Sequence, residues 1–225
     1  MCGRYTIRFP ERFDAGLFGV ADWPDLAPRF NIAPGTDVPL VRIGSAGREG
    51  TMARWGLVPS WAKDASIGDR LANARGETLA EKPSFRGAWK ARRGLLPADG
   101  FYEWQKVAGV KGKQPWFIHL PGDEPFALGA IWETWRTPDG DSLLSCAAIT
   151  TSPNDLMRPI HDRMPVLVPR ASWSAWLGEG AGTGALAPVD LVGPYPAGEM
   201  RARRVSTYVN AVSRDDARCV EPLPD

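Results

Sequence analysis

The hydrophobic pattern of this chain is that of short strands with a few short helices between them. Residues 4–7 alternate apolar and polar positions, which predicts a strand. Pro10 suits the first turn of a helix running to about residue 18. Residues 28–35 read as a loop closing on a Pro-Gly turn, and residues 38–43 and 51–55 read as a hairpin joined by the 44–50 turn. Residues 56–61 form a tight aromatic loop, and 71–75 are extended. Residues 84–92 predict a helix with Phe85, Ala88 and Trp89 on one side. Residues 95–98 lead through Asp99-Gly100 into 101–105, where alternation puts Phe101, Glu103 and Gln105 on one face and Tyr102 and Trp104 on the other. Further strands are predicted at 116–120, 126–132, 143–150, 166–168 and 205–209. Ser152-Pro153 predicts the cap of a short helix at 154–157, and a last helix is predicted at 172–177. The expected fold is α+β: a β-rich single domain over residues 1–225, with a curved, barrel-like antiparallel sheet core and short peripheral helices.

Composition narrows the function classes. The 225 residues carry 27 Lys+Arg against 26 Asp+Glu, a net charge of +1, so an anionic partner has to be held by a local patch. No apolar run reaches membrane-spanning length, and Arg4, Arg8 and Glu11 interrupt any signal-like start, so a cytoplasmic protein is expected. Three separated cysteines, Cys2, Cys146 and Cys219, argue against a disulfide framework and a Cys-x-x-Cys zinc site. With only His119 and His161 as histidines, neither metal nor cofactor is expected. Gly180-x-Gly182-x-x-Ala185 imitates a dinucleotide fingerprint but follows a helix instead of a strand, and reads as a loop.

The candidate chemistry lies at the start of the chain. A cysteine directly after the initiator methionine permits removal of Met1, which would leave Cys2 with a free α-amine beside its thiol. The amine titrates near 7.7–8.0 and the thiol near 8.5, the latter falling near a cation such as Arg4. An amine forms a Schiff base with an aldehyde; a 1,2-aminothiol goes on to close a five-membered thiazolidine on the same carbon. The second attack is intramolecular, with effective molarities on the order of 10⁵ M or more. Three further polar positions interrupt apolar surroundings: Asn73, Glu103 between Tyr102 and Trp104, and His161 after Pro159-Ile160. Singly, each also fits a satisfied structural role.

The segments Met1-Cys2-Gly3-Arg4-Tyr5, Phe30-Asn31-Ile32-Ala33-Pro34, Arg54-Trp55-Gly56-Leu57-Val58-Pro59-Ser60-Trp61, Asn73-Ala74-Arg75-Gly76-Glu77, Gly100-Phe101-Tyr102-Glu103-Trp104 and Ile160-His161-Asp162-Arg163-Met164-Pro165 occur in that order. Together they closely resemble the SOS-response-associated peptidase (SRAP) family of abasic-site processing proteins. The resemblance implies that Cys2 captures the ring-opened aldehyde of an abasic site in single-stranded DNA, with Asn73, Glu103 and His161 completing the active site. It also implies a possible autopeptidase step removing Met1. Gly76 stands where alanine is more usual, and residues 178–202 match no motif and are expected to be a variable loop. For the DNA, Arg4, Asn31, Arg75, Arg86 and Arg163 are the candidate backbone contacts, and Trp55 and Trp61 the candidate stacking surfaces. For both tryptophans core packing is an equal alternative. A monomer acting on abasic single-stranded DNA is the leading expectation. An N-terminal-nucleophile amidohydrolase, a peptidase acting on other proteins and a non-catalytic reader of damaged DNA remain open at this point.

Overall fold

The computed structural model describes residues 2–109, 111–137, 139–179 and 189–224. In chain order the strands are β1 (Tyr5–Ile7), β2 (Arg29–Ile32), β3 (Asp37–Gly44), β4 (Gly47–Trp55), β5 (Asn73–Arg75), β6 (Arg93–Ala98), β7 (Gly100–Lys106), β8 (Lys113–His119), β9 (Phe126–Arg136), β10 (Ser142–Thr151), β11 (Met164–Pro165) and β12 (Arg201–Arg204). The α-helices are short: α1 (Ala15–Phe18), α2 (Arg86–Ala91) and α3 (Trp173–Leu177).

Five strands close into a barrel. The β3–β4 hairpin continues through β6 and β9 to β10, and β10 returns to β4 through Ser145↔Arg54 and Cys146↔Trp55. Four of these pairings are antiparallel and the closing one is parallel, as is the pairing of β5 with β10. The barrel-like core expected from the sequence is therefore present, sealed by a parallel junction between residues far apart in the chain. Closure leaves no open edge among these five strands. Every residue of β6 is buried, because the outside of the barrel is covered as well as its inside filled. Trp176 of α3 does much of that covering: its indole N–H donates to the Gly94 carbonyl at 2.9 Å, and a Cβ on Gly129 would come within 2.7 Å of its ring.

The second sheet runs β12–β8–β7–β1–β2 and lies against the barrel. Asp99, in the turn between β6 and β7, fastens the two. Its fully buried carboxylate accepts from the Thr6 hydroxyl at 2.5 Å, the Arg8 backbone N–H at 2.5 Å, Arg8 Nε at 3.0 Å and the Phe9 N–H at 3.2 Å. Arg8 is itself buried, and reaches on to Asp123 at 2.9 Å. This clasp fixes the first strand, and hence Cys2, beside β7.

Several local expectations change: the 10–18 helix divides into a 3-10 turn at Pro10–Arg12 and α1, the 44–50 turn shrinks as β3 and β4 extend into it, and the 166–168 strand gives way to β11 with a single bridge at Leu167. Residues 28–35 are not all loop, because β2 pairs with β1 at Tyr5↔Ile32. Its outward amides find a partner the local sequence cannot show: the Asp215 carboxylate accepts from the N–H groups of Phe30 and Asn31. Residues 154–157 form turns in place of a helix. Asn154 Oδ1, not Ser152, caps them by accepting from the Met157 N–H at 2.9 Å, and Pro159 prevents extension. The late strand is β12, four residues earlier than predicted and straddling the end of the 178–202 stretch expected as variable loop. Its arginines hid it, although charge is what an edge strand tolerates. Gly76 has a local reason: a Cβ there would fall 2.3 Å from Val192 Cγ1. Residues 180–188, including the Gly180 pattern, lie outside the described residues. Among the described residues no helix is long and apolar enough to cross a membrane.

Candidate active site

Cys2, Asn73, Glu103 and His161 converge from four separate segments. Cys2 is fully buried, immediately ahead of β1. β5 runs parallel to β10 and aims Asn73 at it, so that Asn73 Nδ2 donates to the Cys2 carbonyl at 2.8 Å. Asn73 Oδ1 is buried with no hydrogen-bond partner among the described residues. Glu103 arrives from β7, the neighbour of β1, and is 1% exposed. His161 follows the 155–160 turns, with Nε2 3.7 Å from Glu103 Oε2.

The electrostatics of the site are set by burial. Desolvation pushes the Glu103 carboxyl from 4.5 up to about 7, so near neutral pH it is protonated about half the time. Desolvation also holds the His161 imidazolium below its ordinary range, leaving the ring mostly neutral at pH 7. Nδ1 of His161 accepts the Arg163 N–H at 3.0 Å, which assigns the ring hydrogen to Nε2, facing Glu103. Asp162, 3.0 Å from the same Nδ1, is mostly solvent-exposed and becomes its partner only when the ring is protonated. A carboxyl pushed up by burial and an imidazole held down by it thus face one another beside Cys2, 3.7 Å apart.

The thiol does not behave as Arg4 alone predicts. Burial, followed by the nearby Glu103 charge, raises Cys2 well above the ordinary thiol range, opposed by the Arg4 backbone N–H. The Arg4 guanidinium is turned away: it donates to Asn31 Oδ1 at 2.8 Å, the Val209 carbonyl at 3.0 Å and the Asn210 carbonyl at 3.3 Å. Asn31 is buried and gives its Nδ2 to the carbonyls of Val209, Ala211 and Arg214. Arg4 and Asn31 therefore tie the carboxy-terminal segment to the sheet. Trp55 takes the core option, fully buried with its N–H on the Ala72 carbonyl at 2.8 Å and its ring against Tyr5. Arg163 is engaged by both oxygens of Glu77, at 2.7 and 2.9 Å, and by the Thr150 carbonyl.

The other three DNA candidates lie at the surface. Arg75 is exposed and shares the face of β5 with Asn73, two residues away. Trp61 is 58% exposed and lines a notch of about 420 Å³ with Arg86. A second groove, of about 450 Å³, is lined by Trp104, Lys106, Lys113, Arg158 and His161. Its lysines pair across β7 and β8 and would have been reachable from the sequence once that hairpin was registered. Neither they nor Arg158 carry a motif. Among the described residues no group of three or more His, Cys, Asp or Glu side chains is placed to hold a metal.

The fold and site define a closed β-barrel protein with an amino-terminal cysteine set against an amide, a carboxyl and an imidazole. Residues 1–212 match the family described as SOS response associated peptidase (SRAP), and the chain belongs to that family. It is 39% identical to the abasic site processing protein YoqW of Bacillus subtilis (strain 168), over 98% of this chain and 99% of that protein. It is 29% identical to the abasic site processing protein HMCES of Mus musculus, over 99% of this chain and 76% of that protein. A crystal structure of a protein from Bacteroides thetaiotaomicron shares the fold, with a TM-score of 0.75 at 23% identity, covering 86% of this chain and 85% of that one.

Proposed function

We propose that this protein handles abasic sites in single-stranded DNA by covalent capture through Cys2. The observation that carries the reading is the opposed Glu103–His161 pair beside the Asn73-anchored Cys2, with His161 also lining a groove that holds Lys106, Lys113, Arg158 and Asp162. The names of the relatives support the substrate class.

The chemistry needs the amine of Cys2, which is an amide for as long as Met1 is attached. After Met1 is removed, the sugar hemiacetal opens as a proton passes to its ring oxygen. The Nε2–H of His161 is the group oriented for that contact, and Glu103 supplies a proton at neutral pH. The Cys2 nitrogen then attacks the C1′ aldehyde and loses its protons as water leaves to give the imine, with Glu103 in its ionised form as acceptor. The thiol proton then passes to the imine nitrogen as the sulfur adds to C1′, the C=N π bond giving way to the C–S bond that closes the thiazolidine. Aldehyde plus aminothiol gives ring plus one water, with no change in redox state. Closing the ring removes the imine that would otherwise promote β-elimination and strand cleavage. Asn73 cannot titrate, and it positions the terminus by holding the Cys2 carbonyl.

The test is incubation of the Met1-free protein with single-stranded DNA bearing one abasic site, read by denaturing gel and intact mass. The expected product is a heat-stable adduct with the mass of protein plus DNA less one water. Cys2→Ala retains the amine and should give only an imine trappable by borohydride. An adduct that forms with Met1 retained would overturn the role of the amine.

A further inference from the structure

We infer that Gln105 is a positioning residue for His161, the strut that keeps the imidazole opposite Glu103. The inference rests on the role just proposed for His161, but its structural part stands on its own. Gln105 follows Glu103 by two residues on β7, so both project from the same face. Its Oε1 accepts from the indole N–H of Trp116, on the neighbouring strand β8, at 3.0 Å. Because that indole is only a donor, the contact orients the amide and forces Nε2 to the other side. There Nε2 donates to the Pro159 carbonyl at 2.8 Å.

Pro159 lies two residues before His161, in a segment where Met157 and Ile160 are buried in the core and the backbone N–H groups bond within the turns. The Arg158 N–H bonds to the Asn154 carbonyl, and the Ile160 and His161 N–H groups both go to the Met157 carbonyl. Pro159 has no N–H to give, so the Gln105 contact is its polar tie to the sheet. On the far side of the ring, Arg163 is fixed by Glu77 and Thr150. His161 is thus suspended between two anchors, and β7 supplies both the carboxyl it faces and the amide that sets its distance. Released from Gln105, the 158–161 segment would move the imidazole toward the solvent of the adjoining groove.

Gln105→Met keeps the length and packing of the side chain but loses both hydrogen bonds. The measurement is the NMR titration of the two imidazoles, His161 and His119, in the full-length protein without DNA. The expected result is that His161 titrates at a higher pH in the variant, since part of its desolvation is lost, while His119 is unmoved. An unchanged His161 titration, or an equal movement of both rings, would overturn the inference.

Adduct formation gives the second readout. Gln105→Met should slow single-turnover capture of the abasic site about tenfold, the loss expected for a mispositioned acid–base group. In a His161→Ala background the same substitution should cost nothing, whereas a loss of equal size in both backgrounds would mean a merely structural role. Failure of the wild-type protein to form any adduct would defeat the proposed function, and the titration would still decide the role of Gln105.

Discussion

At the scale of single residues, the site works by withholding solvent. Glu103 is the clearest case: a carboxyl whose folded-state value is raised to about 7 binds its proton more tightly in the folded than in the unfolded chain. The folded state therefore loses stability as pH rises from about 4.5 through 7, by up to about 3 kcal/mol for a rise of that size. Glu103→Gln should consequently raise thermal stability at pH 8 and change it little at pH 5. Thermal melts at the two pH values check this, and an equal gain at both would remove the buried-carboxylate account. The same substitution removes the proton acceptor, so adduct formation should slow by about 10²-fold or more even as the fold gains stability.

At the scale of elements, the β6–β7 turn matters most, because it carries the Asp99 clasp between barrel and sheet. Asp99→Ala would leave the buried Arg8 guanidinium without its main counter-charge, and a cost of about 3–5 kcal/mol is expected. Urea denaturation measures it, and a loss below about 1 kcal/mol would show that Asp123 alone suffices for Arg8. Strands such as 38–43 and 116–120, rich in apolar, β-branched and aromatic residues, and the alternating run 101–105 were legible because their own side chains favour an extended, half-buried backbone. What was not legible was written elsewhere in the chain. β2 depends on Asp215 to satisfy its outer amides, and the barrel closes by a parallel contact between residues about 90 positions apart. The site followed the same rule. Cys2, Asn73, Glu103 and His161 could be named from chemistry and from a resemblance of motifs. Arg4 and Asn31, drawn from the same motifs, turned out to serve the carboxy-terminal segment, a difference that only tertiary partners decide.

At the scale of the whole molecule, a net charge of +1 means that no general field draws DNA to the protein, and the affinity has to come from where the cations sit. Two of the arginines first considered already have protein partners: Arg163 has Glu77, and Arg4 has backbone carbonyls and Asn31. The groove beside His161 is different, since Lys106, Lys113 and Arg158 line it together with the ring of Trp104. Arg158 meets Asp155 at 3.1 Å, but that pair is highly exposed and worth little against a phosphate. A single strand crossing this groove toward Cys2 should release counterions in proportion to the phosphates met there. Each contacting lysine then contributes about 0.7 to the slope of log affinity against log salt. Lys106→Ala and Lys113→Ala are each expected to lower that slope by about this amount for an intact single strand, with little dependence on base sequence. The reaction at a bound abasic site should continue, because neither ammonium takes part in the chemistry. Fluorescence anisotropy across a salt series supplies the slopes. If both variants keep the wild-type slope while Arg75→Ala or Arg86→Ala lowers it, the strand runs along the Asn73 face or the Trp61 notch, and the groove at His161 is not its path.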